Sequence, residues 1–557
     1  MKRSVIMLVC ASVLLLLLSF VHAEEAPVNP AAGLWEFIRT DNNSNLHFSS
    51  YVELRPDGTY IFQLVDEGYV SLRIESCIAE DDGFVLEGGY YRSRFTAEGD
   101  ILTRTDIDPY GHENELGPDR FRRITERPPE LFRVLRSGDY CYTLDGSGNA
   151  AIARYIRKAA QEEDVLVLPD DLDGHRVTAV MGGAFEGITA DSAVLPASMA
   201  AIGGNAFSRS RIGHITIPEG VAEINPYAFS ESAVLSITLP SSLRVIGPYA
   251  FSSCSLLGEI TLPEGLVRIG EYAFERCHSL EQLDLPETLA VLEGNPFCSC
   301  EELTEIRISA DHPAFCVVDG VLFAREDHRL IWYPESSTRA QYIVPKDTVI
   351  IGDGAFAGNG HLKAVELPEA LKEIGKDAFL GCSLLADITI PGSVERIGAY
   401  AFAGCSLKEI SIPEGITELG NGLFSDNAGL RKVRLPDSLT RIGDQAFHGC
   451  ASLSEIRIPD HVTSIGWAAF YDCMSLTGVT LPEGLQSIGH QAFNGCSKLT
   501  GIRIPASVTQ IGHLAFSVYD RSLNREVPNP KLTMTVAPGS YAEQFCRENG
   551  FRFKTKK

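Results

Sequence analysis

Basic residues are scarce in this chain: 48 Lys and Arg stand against 73 Asp and Glu, a formal net charge of −25. Binding to a phosphate backbone draws on counterion release at clustered Lys and Arg. Basic clusters such as Arg120, Arg122 and Arg123, and the terminal Lys554, Lys556 and Lys557, are few and short, which excludes nucleic acid as the expected partner. H-E-x-x-H, G-x-S-x-G and the phosphate-binding G-x-x-x-x-G-K-[ST] are all absent, and no paired carboxylates stand out from the general acidity. The chain therefore reads as a non-enzyme without cofactor or metal. Beyond the first twenty or so residues no apolar run is long enough to span a bilayer. With 45% hydrophobic and 22% charged residues the chain is expected to fold. At 557 residues it is too long for one ordinary core.

The N-terminus has the composition of an export signal. Lys2 and Arg3 precede an almost wholly apolar run from Val5 to Phe20, and Val21-His22-Ala23 offers a small-residue cleavage site, so residues 1–23 read as a signal peptide. The expected localisation is secreted, extracellular or at the cell surface. Removing this segment takes Cys10 with it and leaves 13 cysteines, an odd number that cannot form a fully paired disulfide framework.

Self-similarity is the dominant signal. Phe preceded by Ala or a near variant recurs at 185, 207, 229, 251, 274, 297, 356, 379, 402, 424, 447, 470, 493 and 516, with spacings of 22 or 23 and one gap of 59. A full unit runs from Cys473 to Phe493, CMSLTGVTLPEGLQSIGHQAF. Leu476-x-x-Val479-x-Leu481 alternates with the period of a short strand, and Pro482 ends it by removing a donor and fixing φ. Leu485-x-x-Ile488-Gly489 brings the chain across the coil, with Gly489 expected to allow a turn. Ala492-Phe493 then fills the centre. One such unit cannot bury its apolar face alone, so stacked neighbours must share a core.

These units resemble the bacterial BspA-like leucine-rich repeats, a cell-surface-antigen class with the same Leu, Ile, Pro, Ile-Gly and Ala-Phe positions, over about residues 138–553. The resemblance implies an α/β leucine-rich-repeat solenoid, β-rich with short strands and short helical turns, whose strand-lined concave face binds host or microbial ligands. The repeats are placed at 181–530, with an insertion at 309–345. There Asp319–Phe323 and Leu330–Pro334 form two apolar runs around a polar turn. Residues 138–180 read as an N-terminal cap and first coil, and 531–557 as a C-terminal cap. In that cap Ser540 and Glu543 form a capping box and Gly550 ends a helix.

Residues 31–126 do not follow the repeat. Gly33–Phe37, Tyr51–Leu54, Thr59–Phe62 and Phe84–Leu86 are strand-like runs separated by turns such as Pro56-Asp57-Gly58. They read as a small all-β, barrel-like domain, and the Gly-x-Trp opening with the following hairpin resembles small lipocalin-like domains. Trp35 is assigned to its core. Residues 127–137, including Arg127-Pro128-Pro129, read as a linker.

Eight cysteines share one repeat position: Cys254, Cys277, Cys300, Cys382, Cys405, Cys450, Cys473 and Cys496. They read as buried thiols hydrogen-bonded to the turn rather than zinc ligands, since a single line of ligands cannot surround an ion. Disulfides between neighbouring coils remain open. Trp467, His490 and His513 follow Ile-Gly in adjacent coils below Asp444, and read as a solvated column or as a ligand or metal cluster. The acids after Pro, including Glu219, Glu264, Glu414 and Asp460, read as a solubility stripe.

The outward strand position carries Arg307, Arg434, Arg457 and Arg503, with Lys432 beside Arg434. These five, with a column formed by Tyr227, Tyr249 and Tyr272, are the candidate ligand-binding residues. The column reads equally as packing between coils. The functional expectation is a monomeric binding protein that recognises an extracellular protein or glycan through the solenoid, with no membrane span after signal cleavage. The alternative is small apolar-ligand binding by the N-terminal β domain, with the solenoid as a spacer or scaffold.

Overall fold

The computed structural model describes residues 33–37, 48–55, 59–66, 69–76, 78–80, 83–88, 91–98, 101–107, 119–124, 133–156, 163–521 and 523–556. The proposed signal at 1–23, the Pro56-Asp57-Gly58 turn and Arg127-Pro128-Pro129 lie outside these residues. The chain divides into two compact units, Met1–Ala222 and Glu223–Lys557.

The first unit opens with a nine-stranded antiparallel sheet. Its order is Tyr69–Ser76, Thr59–Asp66, Phe48–Leu54, Gly33–Phe37, Asp119–Ile124, Ile101–Ile107, Tyr91–Glu98, Gly83–Gly88 and Ile78–Glu80. Trp35 pairs with Val52 on one side and Arg123 on the other. It packs in a buried cluster with Val52, Leu54, Tyr60, Phe95 and Leu102. Ile61 turns out of that cluster and packs with Val134, Cys141 and Ala153. Arg55 donates to the Val134 carbonyl at 2.7 Å, and Arg136 donates to Thr59 Oγ1 at 3.2 Å. The sheet is thereby fastened to an antiparallel set, Leu135–Ser137, Tyr140–Leu144 and Ala150–Tyr155. Ala150–Tyr155 then pairs in parallel with His175–Val180, the first step from hairpin geometry into stacked coils.

In the second unit most coils contribute two short parallel strands. The three-residue strands alternate as the sequence pattern requires: in Glu455–Arg457 the ends are exposed and Ile456 points inward. The two-residue strands form a separate ladder, in which Glu418–Leu419, Arg441–Ile442, Ser464–Ile465, Ser487–Ile488 and Gln510–Ile511 pair in order. Between the ladders lies one continuous apolar core reaching from Val321 to Phe551. The Phe rings form a column with centroids 5.3 Å apart at Phe379–Phe402 and 5.0 Å at Phe470–Phe493, nearly parallel throughout.

The segments around each Phe are single hydrogen-bonded turns rather than helical turns. The cause is a pair of left-handed residues flanking the ring. Two before it stand Tyr249 (φ 56°), Tyr272 (φ 54°) and Gln491 (φ 53°), and two after it Ser253 (φ 60°), Arg276 (φ 55°) and Asp472 (φ 54°). A left-handed non-glycine residue is unfavourable by roughly 1–2 kcal/mol. Stacking of the coils must therefore hold this backbone in place. Gly489 opens a turn as expected, Ala492 N donating to its carbonyl at 3.4 Å, but the need for glycine comes from the preceding coil. A Cβ there would lie 2.5 Å from the Gly466 C and O atoms and 2.6 Å from Trp467 N, so the glycine admits the backbone of the preceding coil.

The gap of 59 residues holds one further coil. Phe315–Val318, Val321–Ala324 and Arg329–Trp332 form an antiparallel set, and Arg329–Trp332 rejoins the solenoid by pairing in parallel with Ile350–Ile351. Tyr333 stands in for the missing phenylalanine, its ring 4.9 Å from Phe356. The coil lacks the outer turn, and across that corner Asn295 Nδ2 donates directly to the Gly354 carbonyl at 2.8 Å.

At the C-terminal end the helix Tyr541–Glu548 buries Ala542, Phe545 and Cys546. Ser540 is its N-cap, accepting from Glu543 N, while the Glu543 carboxylate accepts from Gly539 N at 2.7 Å, one residue earlier than in the expected capping box. Gly550 follows with φ 72°.

Candidate binding site

The strand positions that the repeat turns outward are exposed in every coil where a basic residue was singled out, but their electrostatic states differ. Arg307 is held by Asp284 through two hydrogen bonds of 2.6 and 3.2 Å, with Glu305 4.0 Å away. Arg503 is paired with Glu483, and Arg457 lies 3.7 Å from Asp460. Lys432 and Arg434 are exposed at the two ends of Lys432–Arg434, and among the described residues neither has a carboxylate partner. In the preceding coil Glu409 stands in register with Lys432, and Ser411 with Arg434. Lys408 and Arg431 are exposed on the same two coils, where Arg431 N donates to the Lys408 carbonyl at 2.8 Å. The basic residues thus divide into neutralised ones, with Arg307 the most tightly held, and an uncommitted group centred on Arg434.

The tyrosine column is packed along its length. Tyr227 and Tyr249 stack with centroids 4.8 Å apart and planes 2° apart, and Tyr249 and Tyr272 follow at 5.2 Å. Tyr227 is 41% exposed, whereas Tyr272 is 6% exposed and packs with Cys298 and Ala357. Its hydroxyl donates to Asp377 Oδ2 at 3.4 Å across the missing corner of the insertion coil, and Lys376 Nζ sits 5.6 Å from its ring centre. Faces that cover one another cannot receive a ligand, so the ridge offers mainly ring edges. Burial pushes the Tyr249 phenol up to about 12 and raises that of Tyr272 further.

The cysteine column has a single bonding scheme. Each thiol donates to the carbonyl of the phenylalanine one coil back, as Cys450 does to Phe424 O, Cys473 to Phe447 O and Cys496 to Phe470 O, all at 3.2 Å. Where the column carries Asn427, its amide does the same work at 2.7 Å on Phe402 O. The position thus requires a small donor, and the exchange of Cys for Asn at one repeat position is the sequence signal for it. All described cysteines are free thiols. Burial raises the Cys473 thiol well above its ordinary range and Cys405 to about 12. Iodoacetamide at pH 8 is expected to label half-buried Cys316 in the native chain and the column only after unfolding, as read by peptide mass spectrometry. Native labelling of Cys473 would contradict the scheme.

The Trp467 column is also tied coil to coil. Asp444 Oδ1 accepts from Trp467 N at 2.8 Å, and His490 Nδ1 accepts from His513 N at 3.2 Å. Among the described residues no group of three or more His, Cys, Asp or Glu is arranged to hold a metal ion. The stripe of acids after Pro has a partial structural use, since Glu414 accepts from Asp437 N at 3.3 Å and Ser438 N at 3.4 Å. Sequence reasoning missed Glu335 in the insertion. Burial, with a contribution from Glu301, pushes its carboxyl up to about 7, and its Oε2 is buried without a partner. No repeat position marks that residue, because the insertion is unique. Among the described residues no helix is long and apolar enough to cross a membrane.

With this geometry in place, comparison with known proteins is informative for the family. The BspA type leucine-rich repeat region matches in six copies over residues 177–311, 336–431 and 417–533, more than half of the chain. No curated protein matches. Similar solved structures include a leucine-rich repeat protein from Eubacterium ventriosum, at 20% identity and TM-score 0.45, covering 68% of this chain and 91% of that one. The pneumococcal vaccine antigen PcpA matches at 20% identity and TM-score 0.41, over 77% of this chain and 99% of that one. A leucine-rich cell surface protein from Faecalibacterium prausnitzii matches at 21% identity and TM-score 0.39, over 70% and 96%.

Proposed function

The chain belongs to the BspA-type leucine-rich repeat family, and from that premise we propose that it is a secreted or surface-associated binding protein that recognises an acidic extracellular protein or glycan. Recognition uses the outward strand face around Lys432 and Arg434. The observation that carries the reading is the uncommitted charge of these two side chains in a chain of net charge −25. Arg457 extends the group by one coil, and its exposed contact with Asp460 is weak enough to be exchanged for a ligand carboxylate or sulfate. The rigid stacked backbone fixes the spacing of the cations, which favours a ligand with repeated negative charge.

The test uses the full-length chain on immobilised fibronectin, fibrinogen, mucin and heparin. At least one surface is expected to retain it, with affinity falling as salt rises. The K432E/R434E double variant is expected to bind that surface about tenfold or more weakly, with an unchanged melting temperature. Failure to bind all four, or full affinity in the double variant, would overturn the reading.

A further inference from the structure

A different face of the same unit carries a second surface, and its argument does not depend on the strand-face reading. Of the three tryptophans, Trp35 and Trp332 are buried, while Trp467 is 44% exposed. Exposure of the largest apolar side chain calls for an explanation, and here the ring is held rather than loose. Its Nε1–H donates to Gln491 Oε1 at 3.3 Å, its backbone N–H to Asp444 Oδ1 at 2.8 Å, and its carbonyl accepts from Gln445 N at 2.7 Å. No aromatic ring or cation covers the indole among the described residues. A side chain already fixed in orientation loses little freedom when a ligand settles on it.

The coils on either side supply polar groups of complementary kind. Asp444, one coil before, engages Oδ1 with the Trp467 backbone and has Oδ2 left to accept. His490, one coil after, accepts at Nδ1 from His513 N, so the neutral ring carries its proton on Nε2 as a donor. Asp444 is half-buried and His490 exposed, and stacked coils hold such groups at about 4.8 Å intervals. The column therefore reads acceptor, aromatic surface, donor at fixed spacing.

We propose that Asp444, Trp467 and His490 form a saccharide-binding site for a neutral pyranose, with an apolar sugar face lying on the indole and hydroxyls bonding to Asp444 and His490. An apolar surface with a few placed polar groups is what orients such a ligand. A small organic cation would also favour the indole, but the His490 donor suits it poorly and a hydroxyl-rich neutral ring well.

The experiment titrates cellohexaose, mannohexaose and N-acetylchitohexaose separately into the full-length chain, with iodide quenching of tryptophan emission as the readout. At least one sugar is expected to protect the emission from quenching. W467A is expected to weaken that binding more than tenfold by calorimetry, H490A several-fold, and W467F to retain part of it. Absence of protection by all three sugars up to 10 mM, protection by tetramethylammonium instead, or unchanged affinity in W467A would overturn the proposal. Since the K432E/R434E variant leaves this column intact, its sugar binding should equal that of the parent chain, which separates failure here from failure of the strand-face reading.

Discussion

Phe402→Ala is expected to destabilise the protein by about 3–5 kcal/mol, read as a lowered urea midpoint and faster amide exchange in the coils around residues 379–424. Phe402 is fully buried, and its ring lies between Phe379 at 5.3 Å and Phe424 at 5.9 Å, with planes 4° and 10° apart. Truncation removes both contacts at once. The walls are coil backbones that are themselves hydrogen-bonded to their neighbours, as Phe402 N is to Leu423 O at 3.1 Å, so the cavity can relax little. Because a solenoid gains its stability from neighbouring interfaces, a lesion in one coil weakens two of them. Phe402→Leu, which keeps most of the volume, is expected to lose less than about 1.5 kcal/mol. A loss below about 1 kcal/mol for the alanine variant would mean that the ring column does not support the core.

Gly489→Ala is expected to destabilise by about 3 kcal/mol or more, although it adds one methyl group to a residue outside the left-handed region. The Cβ would meet the backbone of the preceding coil at 2.5 Å, and backbone cannot rotate away as a side chain can. The matched comparison is Gly392→Ala, where a Cβ would find nothing within 4 Å. That variant is expected to be neutral or to stabilise by about 0.4–1 kcal/mol through the unfolded chain. Urea midpoints of the two variants against the parent decide the matter: equal midpoints would show that the coils can separate enough to admit a side chain, contrary to their close approach at Gly489.

Much of the architecture was readable from the sequence because a repeat states its own rules many times over. The period of 22 or 23, the inward Leu and Ile positions and the outward column all followed from the recurrence of the same residue types at the same spacing. The turn at Gly489 was legible but the reason for the glycine was not, since a glycine that avoids a clash and a glycine that frees a turn look alike in one dimension. Tyr333 was passed over as the substitute for the missing phenylalanine because it stands before Pro in a unique insertion, outside the Ala-Phe frame. In the first domain, Gly33–Phe37 and the Thr59–Phe62 part of Thr59–Asp66 declared themselves by their aromatic and β-branched residues, whereas Asp119–Ile124, with three arginines in six residues, did not.

The candidate sites were legible only as lists. Arg307, Arg434, Arg457 and Arg503 occupy equivalent positions and are chemically identical in the sequence. Their difference arises from where a carboxylate lies beside each: Asp284 of the preceding coil holds Arg307 and Asp460 of the same coil lies near Arg457, whereas Ser411 stands in register with Arg434. Tyr227 and Tyr272 likewise share a position, yet only Tyr272 meets the gap in the outer turn and reaches Asp377, 105 residues away. The repeat, the inward or outward direction of its side chains and the acidity of the chain follow from local pattern and composition, and so were visible in one dimension. Which cations remain free, which rings are covered and which tryptophan is held open were decided by tertiary structure alone, because each depends on the contact between one coil and the next.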